Sequence, residues 1–456
     1  LGPLYVERIG LNTTESGGTV TAISLLFTGQ VSLFGLSAAV DELSISWLGG
    51  DPARIENWAV DLRGLAVAAD IAGVSLSGGL LKLVEGGQVS YIGMLVGRFA
   101  AYGLSVFGGL SNGPDGTSFF IFGGVNGPFG GPPMFFLTGI GGGLGINRGL
   151  RIPKDISHFG EFPFIQALDP AAPVPDKPMD RLKDLAEYFP HEIGNFWFAA
   201  GISFTSFNLV DGVAVIAVSF GNCLDINLFG LARMALPRPG AAIVSIELAL
   251  LAHFSTSEGV FLIQAQLTDN SWLLYEDVRL TGGFAFAIWW KGPLAGQFVL
   301  TMGGYHPDFP VPVGYPEVPR LGLTWQVSDA IVIKGGSYFA LTSEALMAGV
   351  DVEVSVDFGW VWARLQFGAH GIVYFDPFWF EVMAYARLSA GIDIDLPWPF
   401  GSISLSITIG AQVKVWGPDF AGHAEFEIGP CTVPVDFGSP RRVDPDTPDW
   451  GRFCTK

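Results

Sequence analysis

From Ser402 to Val415 the chain alternates without a break. Ile403, Leu405, Ile407, Ile409, Ala411, Val413 and Val415 stand against Ser404, Ser406, Thr408, Gly410, Gln412 and Lys414. Side chains of a β-strand point to opposite faces with period two, whereas a helix would scatter this set around its circumference. The segment therefore predicts a long strand with one apolar face. Val350, Val352, Val354, Val356 and Phe358 repeat the pattern against Asp351, Glu353, Ser355 and Asp357, and Ile392, Ile394 and Leu396 against Asp393 and Asp395. Each segment predicts one apolar face and one solvated acidic face.

Elsewhere both faces are apolar. In Val89–Leu110, Tyr91, Leu95, Phe99 and Phe107 form one set, and Ile92, Met94, Val96, Tyr102 and Val106 the other. That predicts strand covered on both sides, and Phe196–Phe220, Ile243–Phe254 and Thr281–Trp290 read in the same way. Gly127-Pro128-Phe129-Gly130, Gly292-Pro293-Leu294-Ala295-Gly296 and Gly417-Pro418-Asp419-Phe420-Ala421-Gly422 each follow such a run and predict hairpin turns. One helix is expected, opening at Pro178, carrying Leu182, Leu185, Ala186 and Phe189 at helical spacing, and closed by Pro190. The fold class expected is mainly β, a large antiparallel meander forming a barrel, shell or sandwich-like closed sheet with one short helix. The expected divisions are a Gly-rich β region (1–152), a Pro-rich connector with the helix (153–195), a second β region (196–439) and a tail (440–456). The two β regions could share one sheet system.

Hydrophobic residues make up 49% of the chain against 15% charged, well under the roughly 25% charged of a usual soluble domain. No uninterrupted apolar run of about 18 residues occurs to form a membrane helix; the longest uncharged stretch, from Gly116, is broken by Gly123, Gly124, Pro128, Gly130, Gly131, Pro132 and Pro133. The expectation is therefore that the apolar excess points inward. A net charge of −19 removes nucleic acid from the expected partners and disfavours anionic membranes. Cys223, Cys431 and Cys454 show no metal-binding spacing, although Cys431 and Cys454 could pair. The sequence opens on Leu1 with no signal peptide in view, which is the pattern expected of a processed or excised segment, and its compartment is left open.

No cofactor, metal or catalytic residue is assigned. The histidines at 158, 191, 253, 306, 370 and 423 are scattered without the convergent spacing of a zinc site. The candidate ligand contacts are Tyr305, His306 and Asp308, in Gly303-Gly304-Tyr305-His306-Pro307-Asp308, where glycine frees the backbone and three polar side chains could converge. Gly141-Gly142-Gly143-Leu144-Gly145 lacks the following helix of a nucleotide-binding loop, so it reads as a strand that another segment approaches closely. Asp351, Glu353 and Asp357 share one strand face, on which alternate positions such as Asp351 and Glu353 lie about 6.5 to 7 Å apart, a spacing that glycosidase carboxylates also use; a solvated face is the ordinary reading.

Five segments carry a family resemblance: Leu267-Thr268-Asp269-Asn270-Ser271; Thr281-Gly282-Gly283-Phe284; Phe298-Val299-Leu300-Thr301-Met302 running on to Pro307; Tyr315-Pro316-Glu317-Val318-Pro319-Arg320; and Tyr338-Phe339-Ala340-Leu341-Thr342 running on to Gly349. In these the chain resembles the bacterial and fungal proteins of domain of unknown function family 6603. The resemblance implies a β-rich module, often part of a longer protein, and brings no activity or functional residue with it. The function expected is a non-enzymatic β-shell or barrel whose large apolar interior either is solid core or holds an elongated hydrophobic ligand such as a lipid. The alternatives are a membrane-inserting β-barrel pore, or a structural subunit that self-associates or belongs to a larger parent protein.

Overall fold

The computed structural model describes residues 4–438 apart from 17–18, 34–35, 52–53, 55–56, 72, 86–87, 114–115, 173–177, 238–239 and 396–401. The expected tail, Cys454 and Trp398 lie outside the described residues. Within them the protein is mainly β: 26 strands and three short helical segments, with each registered ladder antiparallel. The described residues form two compact units, one from those up to 232 together with 255–257, the other from 233–254 together with those from 258 onward.

In the first unit consecutive strands pair as a meander from Leu4–Ser16 to Val210–Phe220. Between Phe136–Arg148 and His191–Ser206 the chain leaves the sheet to form a 3-10 turn at Ile156–Glu161 and two helices, α1 (Pro163–Leu168) and α2 (Pro178–Tyr188). Proline opens both helices, at the position where its missing N–H costs nothing. α2 packs on the strands Trp58–Ile71, Val74–Glu85 and Gln88–Phe99, and α1 on those from Tyr102 to Phe220.

Under α1 lies an aromatic core. Phe107, Phe120, Phe122, Phe159, Phe162, Phe164, Phe189, Trp197 and Phe229 are all buried, and Phe164 stacks on Phe122 with ring centroids 4.2 Å apart. The glycines of Gly141–Gly145 lie inside the strand Phe136–Arg148, and a Cβ at Gly145 would collide with the Trp197 indole. The close approach read from their sequence is thus made by Trp197 and by Leu168 of α1, which meets Gly141.

Three local expectations are corrected. Phe196–Phe220 is not one strand but the paired ends of His191–Ser206 and Val210–Phe220, reversed at Phe207 and Asn208 with φ 52° and 53°. Val89–Leu110 is a hairpin of two strands, Gln88–Phe99 and Tyr102–Gly113, reversed at Ala100 with φ 54°. Gly127–Gly130 is no hairpin apex: it stays within the strand Gly116–Gly130 as a register shift, and the chain turns at residues 131–135. The turns near Gly292–Gly296 and Pro418–Phe420 stand where expected.

In the second unit a regular ladder runs through Ile331–Thr342, Ala345–Asp357, Val361–Phe375, Phe378–Asp395, Ser402–Gly417, Ala421–Ile428 and Cys431–Phe437. The strand Ile331–Thr342 is also paired on its other side, by Phe298–Met302 along residues 339–342 and by Leu321–Ser328 along residues 331–337. Those two strands continue one line along its edge. The chain leaves that line at Gly303 and rejoins it at Leu321. Gly303 has φ +77°, and a side chain there would strike the Ser337 carbonyl, so the exit needs glycine.

Candidate functional site

The register of the second unit sorts its residues into rows. Ile333, Val354, Leu365, Leu388, Ile409 and Ile428 stand opposite one another in turn across six strands. One residue along, on the other face, Lys334, Glu353, Gln366, Arg387, Gly410 and Glu427 form the neighbouring row. From Leu365 onward the accessible row is the apolar one, with Leu365 40% exposed, Leu388 49%, Ile409 52% and Ile428 61%, whereas Ile333 and Val354 are half-buried and Lys334 is exposed. Along Glu381–Leu388 the pattern holds residue by residue, with Val382, Ala384, Ala386 and Leu388 exposed and Glu381, Met383, Tyr385 and Arg387 less so.

The first unit behaves alike. Ile121, Leu144 and Phe198 are cross-strand neighbours and all exposed, whereas Phe120, Phe122 and Trp197 on the opposite face are buried under α1. The apolar excess, expected to point inward, is in large part on the accessible face of both units.

The polar face of the second unit is hydrogen-bonded within itself. Gln366 donates to Glu353 at 2.7 Å, and Arg387 to both oxygens of Glu427 at 3.0 and 3.1 Å. Tyr385 donates to Asp351 at 2.8 Å, and His370 bridges Asp351 (2.9 Å, through Nε2) and the Tyr338 hydroxyl (3.1 Å, through Nδ1). Asp351 and Glu353, expected on a solvated acidic face, are therefore half-buried members of this network.

Glycine makes the longer reaches possible. Tyr338, Gly349 and His370 are successive register partners, as are Asp351, Gly368 and Tyr385. A Cβ at Gly349 would come within 2.5 Å of the Tyr338 ring and 2.6 Å of His370 Nδ1; one at Gly368 would come within 2.8 Å of Asp351 Oδ1. Gly349→Val closes the window between Tyr338 and His370 and is expected to cost about 1–3 kcal/mol, the scale of overpacking, measured as a lower urea midpoint. Val350→Ala, on the accessible face beside it, shifts the midpoint by less than about 0.5 kcal/mol.

Residues 303–320 lie over this face, and the predicted contacts belong to them. Tyr305 is buried and donates to the Pro316 carbonyl at 3.0 Å. His306 is 2% exposed. Its Nδ1 accepts from the Asp308 N–H at 3.1 Å, its ring stands edge-on to His370 at 5.8 Å, and its Nε2 has no hydrogen-bond partner. The Asp308 carboxylate is exposed and lies 3.7 Å from Lys414 Nζ. The three side chains do not converge on an open site: two enter the core and one faces out. Burial pushes the Tyr305 hydroxyl up and the His306 imidazole down. The neighbours of His306, namely Tyr338, His370, Glu381 and Lys414, were not legible from the sequence because they come from four different strands.

The segments that carry the family resemblance have structural work here. Thr268 and Asn270 donate to Glu247 Oε1 at 2.6 and 2.8 Å, and Ser271 closes on its backbone. Arg320 lies 3.9 Å above the Tyr338 ring and donates to the Gly303 carbonyl at 2.8 Å. Tyr315 stacks on Trp289 at 5.2 Å, 8° from parallel.

Among the described residues no group of three or more His, Cys, Asp or Glu is placed to hold a metal ion. A cavity of about 100 Å³ lies beside α2 between Met94, Val96, Phe107, Gln166, Arg181 and Tyr188. It is smaller than the roughly 300 Å³ of a usual small-molecule pocket. Among the described residues no helix is long and apolar enough to cross a membrane, a statement about helices and not about strands.

No curated protein and no solved structure matches the chain. A family model described as a family of unknown function matches residues 1–456. The resemblance first carried by five short segments thus extends over the whole chain, and the protein belongs to domain of unknown function family 6603.

Proposed function

We propose that this chain is a lipid-facing β-sheet protein, with the accessible apolar faces of its strands against acyl chains and the hydrogen-bonded faces turned away from lipid. The observation that carries the reading is the alternation of exposure along Glu381–Leu388, Ile407–Gly410 and Glu425–Ile428, in which the apolar side chains on one face are open and Met383, Tyr385, Arg387, Glu425 and Glu427 on the other are half-buried. Apolar outward and polar inward is the alternation of strands in a bilayer.

Strand length and aromatic placement support it. Val361–Phe375 and Phe378–Asp395 exceed the roughly 9–11 residues that a tilted strand needs to cross the hydrocarbon. Phe358 and Trp360 are exposed at one end of Val361–Phe375, and Phe375 and Phe378 at the other, where interfacial aromatics stand in membrane strands. Water would have to cover this whole face in a monomeric soluble protein, which rarely exposes contiguous apolar patches beyond a few hundred Å².

The test is flotation of the purified chain with zwitterionic phosphatidylcholine vesicles, which avoids opposition by the net charge of −19. Co-flotation that resists high salt, with protection of the ladder strands from added protease, is expected. A chain that stays monomeric and at the bottom of the gradient overturns the reading. Entrapped dye added to the same vesicles separates insertion with leakage, as a pore requires, from insertion alone.

A further inference from the structure

We propose that the excursion over residues 303–320 is an acid-released latch on the polar face of the second unit, with His306 as its proton acceptor. The inference stands apart from the lipid-facing reading, since it concerns the opposite face and is tested without lipid.

The excursion joins two strands that continue one line along the edge of Ile331–Thr342, so its release does not require that line to break. It is held down at three places. Arg320 ties it to Gly303 and Tyr338 at the root. Tyr305, Phe309 and Tyr315 form its apolar anchor, packed in one core with Trp289, Val299, Tyr338, Met347 and Ile372. At the centre, His306 is buried against Tyr338 and His370.

His306 is docked as a neutral imidazole. Its Nδ1 accepts a backbone N–H, so the ring proton sits on Nε2, where no acceptor is within reach. Adding a proton to Nδ1 turns an acceptor toward the Asp308 N–H into a donor facing a donor, and places a charge in a buried site.

The charged and titratable groups around it are mixed in sign. Asp308 on the excursion, Asp351 on Ala345–Asp357 and Glu381 on Phe378–Asp395 are acids; Arg320, Lys414 and, when protonated, His370 are cations; Tyr338 and Tyr385 are neutral. The acids are already engaged: Asp351 holds His370 and Tyr385, while Glu381 pairs with Lys414. Asp308 and Glu381 favour the imidazolium, but desolvation is the larger influence and His370 and Lys414 add to it, so the docked imidazole titrates below its ordinary value near 6.5.

The sign follows. A released His306 binds a proton more readily than a docked one, so docking is at full strength above about pH 6.5 and weakens as the pH falls below it. One proton is exchanged, which sets a limiting slope of about tenfold in the opening equilibrium per pH unit.

Hydrogen exchange of the full chain, corrected for the intrinsic pH dependence of amide exchange, reads the opening of residues 303–320 between about pH 7.5 and 5.5, a range in which histidine is the side chain that ordinarily titrates. The wild-type excursion is expected to open with a slope approaching tenfold per unit at the acid end, while the ladder from Ala345 to Gly417 stays protected. His306→Asn keeps an acceptor near the Nδ1 position and cannot titrate, so its excursion stays closed across the range; His306→Gln serves as a second non-titrating chain. A flat wild-type profile overturns the proposal without either variant. So does a folded H306N or H306Q chain that opens with the wild-type slope.

Discussion

Leu388→Arg is expected to weaken association of the chain with zwitterionic vesicles by roughly 30- to 1,000-fold, the equivalent of about 2–4 kcal/mol for an arginine at the bilayer midplane of a lipid-facing strand. Leu388 is placed for a decisive result. It is 49% exposed and flanked in register by Leu365 and Ile409, themselves 40% and 52% exposed, so the guanidinium would enter the middle of an apolar row. It is also well inside Phe378–Asp395, far from the turn at Asp376-Pro377 where a long side chain could reach water by snorkelling. Gln412→Arg, on the opposite face beside Tyr385 and Glu425, is the matched control and should leave partition within about 0.5 kcal/mol. The measurement is the vesicle-bound fraction against lipid concentration. Equal partition of the two variants would remove the assignment of faces and with it the lipid-facing reading.

That assignment is what sequence could not supply. Alternation from Ile403 to Val415 correctly announced a strand with two unlike faces, found as Ser402–Gly417. Period two separates the faces but is symmetric to which of them is covered, and the ordinary rule for a soluble protein put the apolar one inside. Exposure depends on what lies over each face, which is set by segments distant in the chain: α1 and α2 over one unit, residues 303–320 over the other. The hairpin at Ala100 was hidden for a different reason. Its reversal uses an alanine with positive φ, with no proline or glycine at the apex to mark it, so Val89–Leu110 read as one strand. The helix at Pro178–Tyr188 was legible because proline at both borders and an apolar stripe agreed.

At the candidate site, Gly303-Gly304-Tyr305-His306 did mark a place where the backbone does something special, and glycine at 303 is required by its φ and by the Ser337 carbonyl. What the segment meets was not legible. Contact between His306 and His370 needs the register of Ile331–Thr342, Ala345–Asp357 and Val361–Phe375 to be known, and a one-residue slip would turn His370 to the accessible face. The gaps at Gly349 and Gly368 show the same dependence: each looks like an ordinary glycine in a strand until the residues on both sides of it are paired across three strands.

Phe164→Ala is expected to destabilise the first unit by about 3–5 kcal/mol, the cost of removing a large buried aromatic side chain when its surroundings cannot collapse. Collapse is hindered here because the ring has aromatic neighbours on several sides: Phe122 at 4.2 Å, Phe162 at 5.3 Å, Phe189 and Trp197 at 5.4 Å, Phe107 at 6.0 Å and Phe229 at 6.3 Å. Those rings are carried on separate strands and on the segment leading into and out of the helices, so none can advance into the gap without leaving its own ladder or turn. Phe164 is also near the start of α1, whose six residues are too few to form a helix by themselves; the helix exists because this side chain, Ile165 and Leu168 are buried. Loss of the ring should therefore loosen α1 from the sheet as well as leave a void. Hydrogen exchange during thermal or urea unfolding reads both effects by segment, the void through the strands Tyr102–Gly113, Gly116–Gly130 and His191–Ser206 and the loosened helix through Pro163–Leu168. Phe164→Leu, which keeps most of the apolar volume, should recover more than half of the loss. If Phe164→Ala instead unfolds with the wild-type midpoint, the rings under α1 are not the packed core that holds the helices to this sheet, and the interior of the first unit must be open enough to accept the hydrophobic ligand that composition alone first suggested.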